Sequence, residues 1–87
     1  MAEFLLELYV SGSDGNAVAQ RAARARLAAQ RMRRDGASIS YLRSIFVPED
    51  ETCFLVYEAR SANDVRRAAR LAGFPVDHIV EMLETDA

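Results

Sequence analysis

Apolar residues follow two spacings along the chain, one typical of strands and one typical of helices, and the order strand, helix, strand occurs twice. Apolar residues recur at every second position in strand-like stretches and at every third or fourth position in helical ones. The strand-like stretches lie at residues 3–10, 39–47, 52–59 and 78–83, and the helical stretches lie at 16–35 and 62–72. The sequence therefore predicts two consecutive βαβ halves.

Two βαβ halves in a chain of 87 residues are typical of an α+β fold, the ferredoxin-like split βαβ sandwich. We expect one domain over residues 1–87, with both helices on one face of an antiparallel sheet in the strand order 4-1-3-2. A domain of this size buries a smaller share of its surface than a larger one does. We therefore predict a homodimer, in the form of a dimeric α/β barrel.

The alternation in the first strand places an entirely apolar set on one face, which we expect to meet the helices. This set is Phe4, Leu6, Leu8 and Val10. The predicted buried stripe of the first helix is Val18, Ala22, Ala25, Ala29 and Met32, and that of the second helix is Val65, Ala68, Ala69 and Ala72. Ser61 is the expected N-cap of the second helix, and Gly73 is its expected end.

The polar alternate of each strand supplies the candidate ligand-binding residues on the face without helices. These residues are Glu7, Tyr9, Tyr41, Arg43, Glu58 and Glu81. Their predicted apolar neighbours are Leu5, Ile45, Phe54, Val56, Ile79 and Leu83. An apolar face with a few convergent charges is a poor surface to leave in water. We expect a second copy of the chain, or a small-molecule ligand, to cover it.

Two interpretations of this face remain open. In the first, two copies pack sheet to sheet and Arg43 neutralises carboxylates across the interface, which gives a small-ligand-binding or regulatory module without a catalytic constellation. In the second, the paired sheets enclose a cavity in which Glu7 or Glu58 acts as general base or metal ligand. A carboxylate in a desolvated site is a candidate for proton transfer, so this alternative is a small dimeric α/β-barrel enzyme.

Other chemistry-bearing residues point to ordinary structural roles. His78 is the only histidine and Cys53 the only cysteine, and neither has metal-ligand company at the spacing of a zinc site. We expect Cys53 to behave as a small buried hydrophobe. The acidic segment at residues 49–51 forms the tip of the central hairpin, where we expect solvent around it. We predict no catalytic residues, no metal ligands and no evident cofactor.

The charge and composition of the chain argue against nucleic-acid and membrane partners. The net charge is −2, so no global field recruits nucleic acid or an anionic membrane, and the arginines of the first helix are predicted to be solvated. The first residues read as a strand and not as a signal peptide. A single cysteine suits a reducing compartment. We therefore predict a cytoplasmic protein without nucleic-acid or membrane partners.

The segments SIFVPEDETCF and YEARSANDVRRAARLAGFP carry a resemblance to a known family. They are similar to a family of small bacterial proteins of unknown function with a ferredoxin-like fold, some of which are described as nickel-binding. The matching features are the phenylalanine-containing hairpin, the second helix from Ser61 to Leu71, and the glycine that precedes Phe74 and Pro75. The resemblance implies the fold, a dimer and nickel as the candidate metal.

The chain departs from the nickel-binding members where those are rich in histidine. In the first strand it has Glu7, Leu8 and Tyr9, and its helices carry arginine, alanine and glutamine at the positions compared. Nickel favours imidazole donors. We therefore transfer no metal-ligand residue from the family, and divalent-metal binding remains an alternative function that the resemblance alone implies.

Overall fold

The computed structural model describes residues 1–84. Its elements are β1 (Ala2–Tyr9), α1 (Gly15–Arg34), β2 (Ile39–Val47), a short 3-10 turn (Pro48–Asp50), β3 (Thr52–Ala59), α2 (Ala62–Ala72) and β4 (Ile79–Met82). All neighbouring strands are antiparallel, in the order β2-β3-β1-β4. This is the predicted order viewed from the other edge, and the ferredoxin-like α+β fold is confirmed. Neither helix in the described residues is long and apolar enough to cross a membrane.

The core lies between the sheet and the two helices. The predicted apolar set of β1 is buried there, and Leu6 is fully inaccessible. Every second residue of β3 joins it, from Cys53 to Ala59. Alanines dominate the buried stripes of α1 and α2, because small side chains allow a helix to approach a sheet closely. Cys53 is buried as predicted, and desolvation raises the pKa of its thiol.

The helix ends follow local hydrogen-bonding rules. The Asp14 side chain accepts a hydrogen bond from the backbone N–H of Ala17 at 3.0 Å, and α1 begins one residue after Asp14. Ser61 caps α2 as predicted, because its hydroxyl accepts from the backbone N–H of Asp64 at 3.2 Å. Gly73 ends α2 in the left-handed region, with a φ of 81°.

A β-bulge in β2 overturns the predicted face of Tyr41. Tyr41 lies opposite Tyr57 on β3, whereas Arg43 lies opposite Val56, so β2 has one more residue than its partner strand between these two pairs. The extra residue reverses the alternation. Tyr41 therefore lies on the helix side of the sheet, and Arg43 lies on the side without helices.

The register of β4 also differs from the predicted one. Glu81 pairs with Phe4, and Ile79 pairs with Leu6, so both lie on the helix side of the sheet. The side without helices, where Glu81 and Ile79 were predicted to lie, is occupied by Val80 and Met82 instead. Glu81 nevertheless remains exposed, because β4 is an edge strand. Leu83 follows the end of β4 and is 77% exposed.

Candidate functional site

The open face is the surface of the sheet opposite the helices. Its apolar members are Leu5, Ile45, Phe54, Val56, Val80 and Met82, and its charged members are Glu3, Glu7, Arg43 and Glu58. One row across the sheet runs from Arg43 through Val56 and Leu5 to Val80. Val80 is 57% exposed and Ile45 is 45% exposed, so a substantial apolar area meets solvent here.

The charges of the open face are not balanced within one chain. Glu3 lies directly opposite Glu58 on the neighbouring strand, and like charges in this relation destabilise a sheet. The ion pair found among residues 1–84 is between Arg67 and Asp64 on α2. Arg43 therefore has no carboxylate partner within 4.0 Å in the described part of the chain.

A cleft of about 480 Å³ lies where the open face meets the start of β1 and the end of β4. Arg43, Glu3 and Glu81 line it, together with Glu84 and the apolar side chains of Met1, Met82 and Leu83. Glu81 and Arg43 both line this cleft, although they belong to opposite sides of the sheet and to its two edge strands. Its mixed lining could contact a small molecule that has both apolar and charged groups.

Tyr9 is held at the other end of β1. Its hydroxyl donates a hydrogen bond to the Glu51 carboxylate at 3.1 Å, and the backbone N–H of Gly12 donates to the same oxygen at 3.2 Å. The hydrogen bond to Glu51 and the negative charge of that carboxylate both raise the pKa of Tyr9. These contacts fasten the β2–β3 hairpin to the β1–α1 loop.

Tyr41 packs against aromatic and charged side chains on the helix side of the sheet. Its ring lies edge-on to that of Tyr57, with 6.0 Å between the ring centroids. The guanidinium carbon of Arg26 lies 5.3 Å from the centroid of the Tyr41 ring. Its hydroxyl is hydrogen-bonded to Ser44. The hydroxyl of Tyr57 is buried without a hydrogen-bond partner among residues 1–84, and burial raises the pKa of Tyr57. Tyr41 is thus removed from the other candidate site residues.

The structure places His78 beside Glu7, a proximity that the sequence analysis missed. The backbone N–H of Glu7 donates to the His78 carbonyl at 2.9 Å, and both residues line a cleft of about 220 Å³ near the hairpin tip. His78 lies on the same side of β4 as Val80, and the predicted register placed that side beneath the helices, so the sequence analysis separated His78 from Glu7. No cluster of three or more histidine, cysteine, aspartate or glutamate residues suited to a metal ion occurs in residues 1–84.

Six predicted site residues therefore fall into separate environments. Glu7 and Tyr9 lie toward the hairpin end of the open face, Arg43 and Glu58 lie toward its other end, and Tyr41 lies beneath the helices. Glu81 borders the larger cleft from the helix side. Within residues 1–84, the arrangement places charged side chains on an apolar sheet face but does not bring the six candidates together in one compact group.

Comparisons with known proteins identify the family. Residues 9–82 match the family model described as "Nickel responsive protein SCO4226-like". No curated protein and no solved structure gave a match. The matched segment contains both helices and reaches from the end of β1 to the end of β4. The chain therefore belongs to the SCO4226-like family of nickel responsive proteins.

Proposed function

We propose that this protein is a homodimeric binding module, without catalytic activity, that serves the nickel response by recognising a small ligand or a regulatory partner. In the proposed dimer, the open faces of two copies pack against each other. The single observation that carries the proposal is that Arg43, which has no carboxylate partner within 4.0 Å among residues 1–84, lies on an apolar face that also holds Glu3, Glu7 and Glu58.

The apolar part of the open face supplies the driving force for association. Ile45 and Val80 are about half exposed in one chain, and Leu5 and Phe54 lie between them on the central strands. Removing such side chains from water contributes roughly 25 cal/mol per Å² of apolar surface. A two-fold axis through the sheet would bury the same patch of both copies at once.

The charged part of the open face supplies complementarity. In a two-fold arrangement the Arg43 guanidinium of each copy meets carboxylates of the other, and Glu58 and Glu3 lie together as a pair that a guanidinium could bridge. Three glutamates per copy still outnumber one arginine. We therefore expect salt to strengthen the dimer, because ions screen the remaining repulsion.

The positions of the candidate residues favour binding over catalysis. The enzyme alternative used Glu7, Tyr9, Tyr41, Arg43 or Glu58 inside one cavity, but Tyr41 lies on the helix side, and Glu7 and Glu58 lie toward opposite ends of the open face. The cleft beside Arg43 would remain at the edge of the proposed interface, where a small molecule could reach it. Binding there would link occupancy of the cleft to dimerisation.

Nickel binding is the second candidate, and the family name together with the Glu7–His78 neighbourhood is what favours it. The donor set of one chain does not fit a nickel site. Nickel prefers imidazole ligands, whereas the chain has one histidine, and its one cysteine is fully buried in the core. Glu7 and His78 are two donors only, so the proposed function includes no step that uses the metal.

The oligomeric state in solution tests the proposal. Light scattering at micromolar concentration should give twice the 9.7 kDa mass of one chain. The R43E variant should shift the protein toward monomer, and adding E58R should restore part of the dimer. The matched control is R33E on α1, which should leave the mass unchanged. A wild-type protein that is monomeric under these conditions would overturn the proposal.

A further inference from the structure

The net charge of −2 is the sum of a basic pair of helices and an acidic remainder of the chain. α1 and α2 together hold nine arginines against one aspartate, Asp64. The rest of the chain holds two arginines against twelve carboxylate side chains. The helix layer is thus strongly basic, and it lies on the side of the sheet opposite the proposed dimer interface.

A groove of about 270 Å³ runs between the two helices in this basic layer. It is lined by Arg24, Leu27, Ala28, Arg31, Leu71 and Ala72. Leu27 is 65% exposed and Leu71 is 45% exposed, so the groove presents leucines from both helices to solvent. An isolated exposed leucine requires no explanation, but two that border one groove form an apolar floor.

The arginines beside the groove differ in what they contact. Arg24 is already engaged, because it donates a hydrogen bond to the Ala72 carbonyl. Arg31 lies one helical turn from Leu27, and its guanidinium makes no hydrogen bond or ion pair among residues 1–84. An exposed guanidinium next to an apolar floor is suited to a carboxylate that approaches together with an apolar side chain.

We propose that this groove docks an acidic, leucine-rich amphipathic segment of a partner protein. An apolar side chain of the segment enters between Leu27 and Leu71, and a carboxylate one turn away pairs with Arg31. This is recognition of an amphipathic helix by a groove, with anchors at helical spacing. Charge complementarity selects an acidic partner. Nucleic acid is disfavoured because the groove has no aromatic side chain on which bases could stack.

A binding assay with a synthetic peptide tests the proposal on the full chain. The probe is a fluorescein-labelled peptide with leucines at every third and fourth position and glutamates beside them. The control peptide has lysine in place of each glutamate. Fluorescence anisotropy should show saturable binding of the glutamate peptide and none of the lysine peptide. Affinity should fall as salt is raised.

Matched variants separate groove binding from general attraction to a basic surface. L27S and R31E should each weaken binding of the glutamate peptide by about tenfold or more, the loss that corresponds to one good contact. R33E removes the same charge from another side of α1, where Arg33 is exposed, and should weaken binding much less. Circular dichroism should show that all three variants remain folded, which is expected because the three side chains are exposed.

Three outcomes would overturn the proposal. The first is a loss in R33E equal to the loss in R31E, which would indicate attraction to the whole helix layer. The second is tighter binding of duplex DNA, or of vesicles rich in anionic lipid, than of the glutamate peptide. The third is full binding by L27S. Because the open face takes no part, the I45E variant should bind the peptide as wild type does, whatever its oligomeric state.

Discussion

Arg24 of α1 lies against Phe74, which follows the end of α2. Its guanidinium carbon is 4.8 Å from the centroid of the Phe74 ring, and its Nη2 donates a hydrogen bond to the Ala72 carbonyl at 2.5 Å. A cation at the carboxyl end of a helix is also favoured by the helix dipole. The Arg24 side chain therefore connects α1 to the carboxyl end of α2.

Replacing Arg24 should weaken the contact between the helices. We expect R24A to lower the free energy of unfolding by about 1–2 kcal/mol, because it removes a charge-assisted hydrogen bond and a cation–π contact. Urea denaturation measures the change. R33A is the control and should stay within about 0.5 kcal/mol of wild type. Equal effects in the two variants would contradict a specific role for Arg24.

Gly12 should be intolerant of a side chain. A Cβ atom at this position would lie 2.6 Å from the Pro48 carbonyl oxygen, so the β1–α1 loop or the hairpin tip would have to move. We expect G12A to lower the free energy of unfolding by about 1–3 kcal/mol. The midpoint of thermal denaturation should fall accordingly.

Gly15 offers the matched control for Gly12. It is the first residue of α1, and a Cβ there would meet no atom within 4 Å. G15A should raise the free energy of unfolding by about 0.4–1 kcal/mol, since alanine restricts the unfolded chain and favours the helix. A destabilised G15A, or an unaffected G12A, would show that the close approach to Pro48 does not decide the effect.

The buried hydroxyl of Tyr57 should make the fold sensitive to alkali. Its raised pKa means that the unfolded chain loses this proton first, near the ordinary tyrosine pKa of 10.0. Stability is therefore intact below that pH and declines above it, by at most about 1.4 kcal/mol per pH unit for one proton. Denaturation by urea at a series of alkaline pH values measures the slope.

The Y57F variant isolates the contribution of Tyr57, because Cys53 and Tyr9 titrate with shifts in the same direction. At neutral pH, Y57F should match wild type or exceed it by about 1 kcal/mol, since it removes a buried hydroxyl without a described partner. Above pH 10 it should lose stability less steeply than wild type. Parallel slopes would show that Tyr57 does not control the alkaline transition.

Nickel should not stabilise the protein through His78, because one chain offers a single imidazole donor. A ligand that binds only the folded state raises its denaturation midpoint. We expect Ni²⁺ to change the midpoints of wild type and H78Q equally. A rise in wild type that is absent from both H78Q and E7Q would instead establish a metal site at this pair and favour the second candidate function.

The fold was predictable where the sequence pattern is strong. Residues 4–10 have an apolar side chain at every second position from Phe4 to Val10, and the buried stripe of α2 keeps helical spacing, so their inner faces follow from the sequence. The cap at Ser61 and the stop at Gly73 are local signals that need no tertiary information. These features fixed the element order and the core.

The candidate site was predictable only in part, because two strands break the simple alternation. The bulge in β2 separates Tyr41 from Arg43, and the adjacent apolar pair Tyr41 and Leu42 is the only local sign of it. In β4, a charged residue can lie on the helix side because the edge of the sheet is partly uncovered. Polarity alone therefore placed Glu81 on the wrong side of the sheet. Whether carboxylates meet in space depends on register, which a single sequence specifies weakly at an edge.

The bulge in β2 also means that this strand has one residue more than its pairing with β3 requires. Ahead of Leu42, the strand contributes an aromatic ring to the interior, and after it the same strand offers a guanidinium to the exterior. Deleting Leu42 would make Tyr41 and Arg43 consecutive, and because consecutive residues of a regular strand point to opposite faces, each would keep the side of the sheet that it has now. The strand should thus tolerate the removal of Leu42 far more readily than the removal of a residue from its regular part, such as Ile45, which would exchange the faces of the residues on one side of the gap.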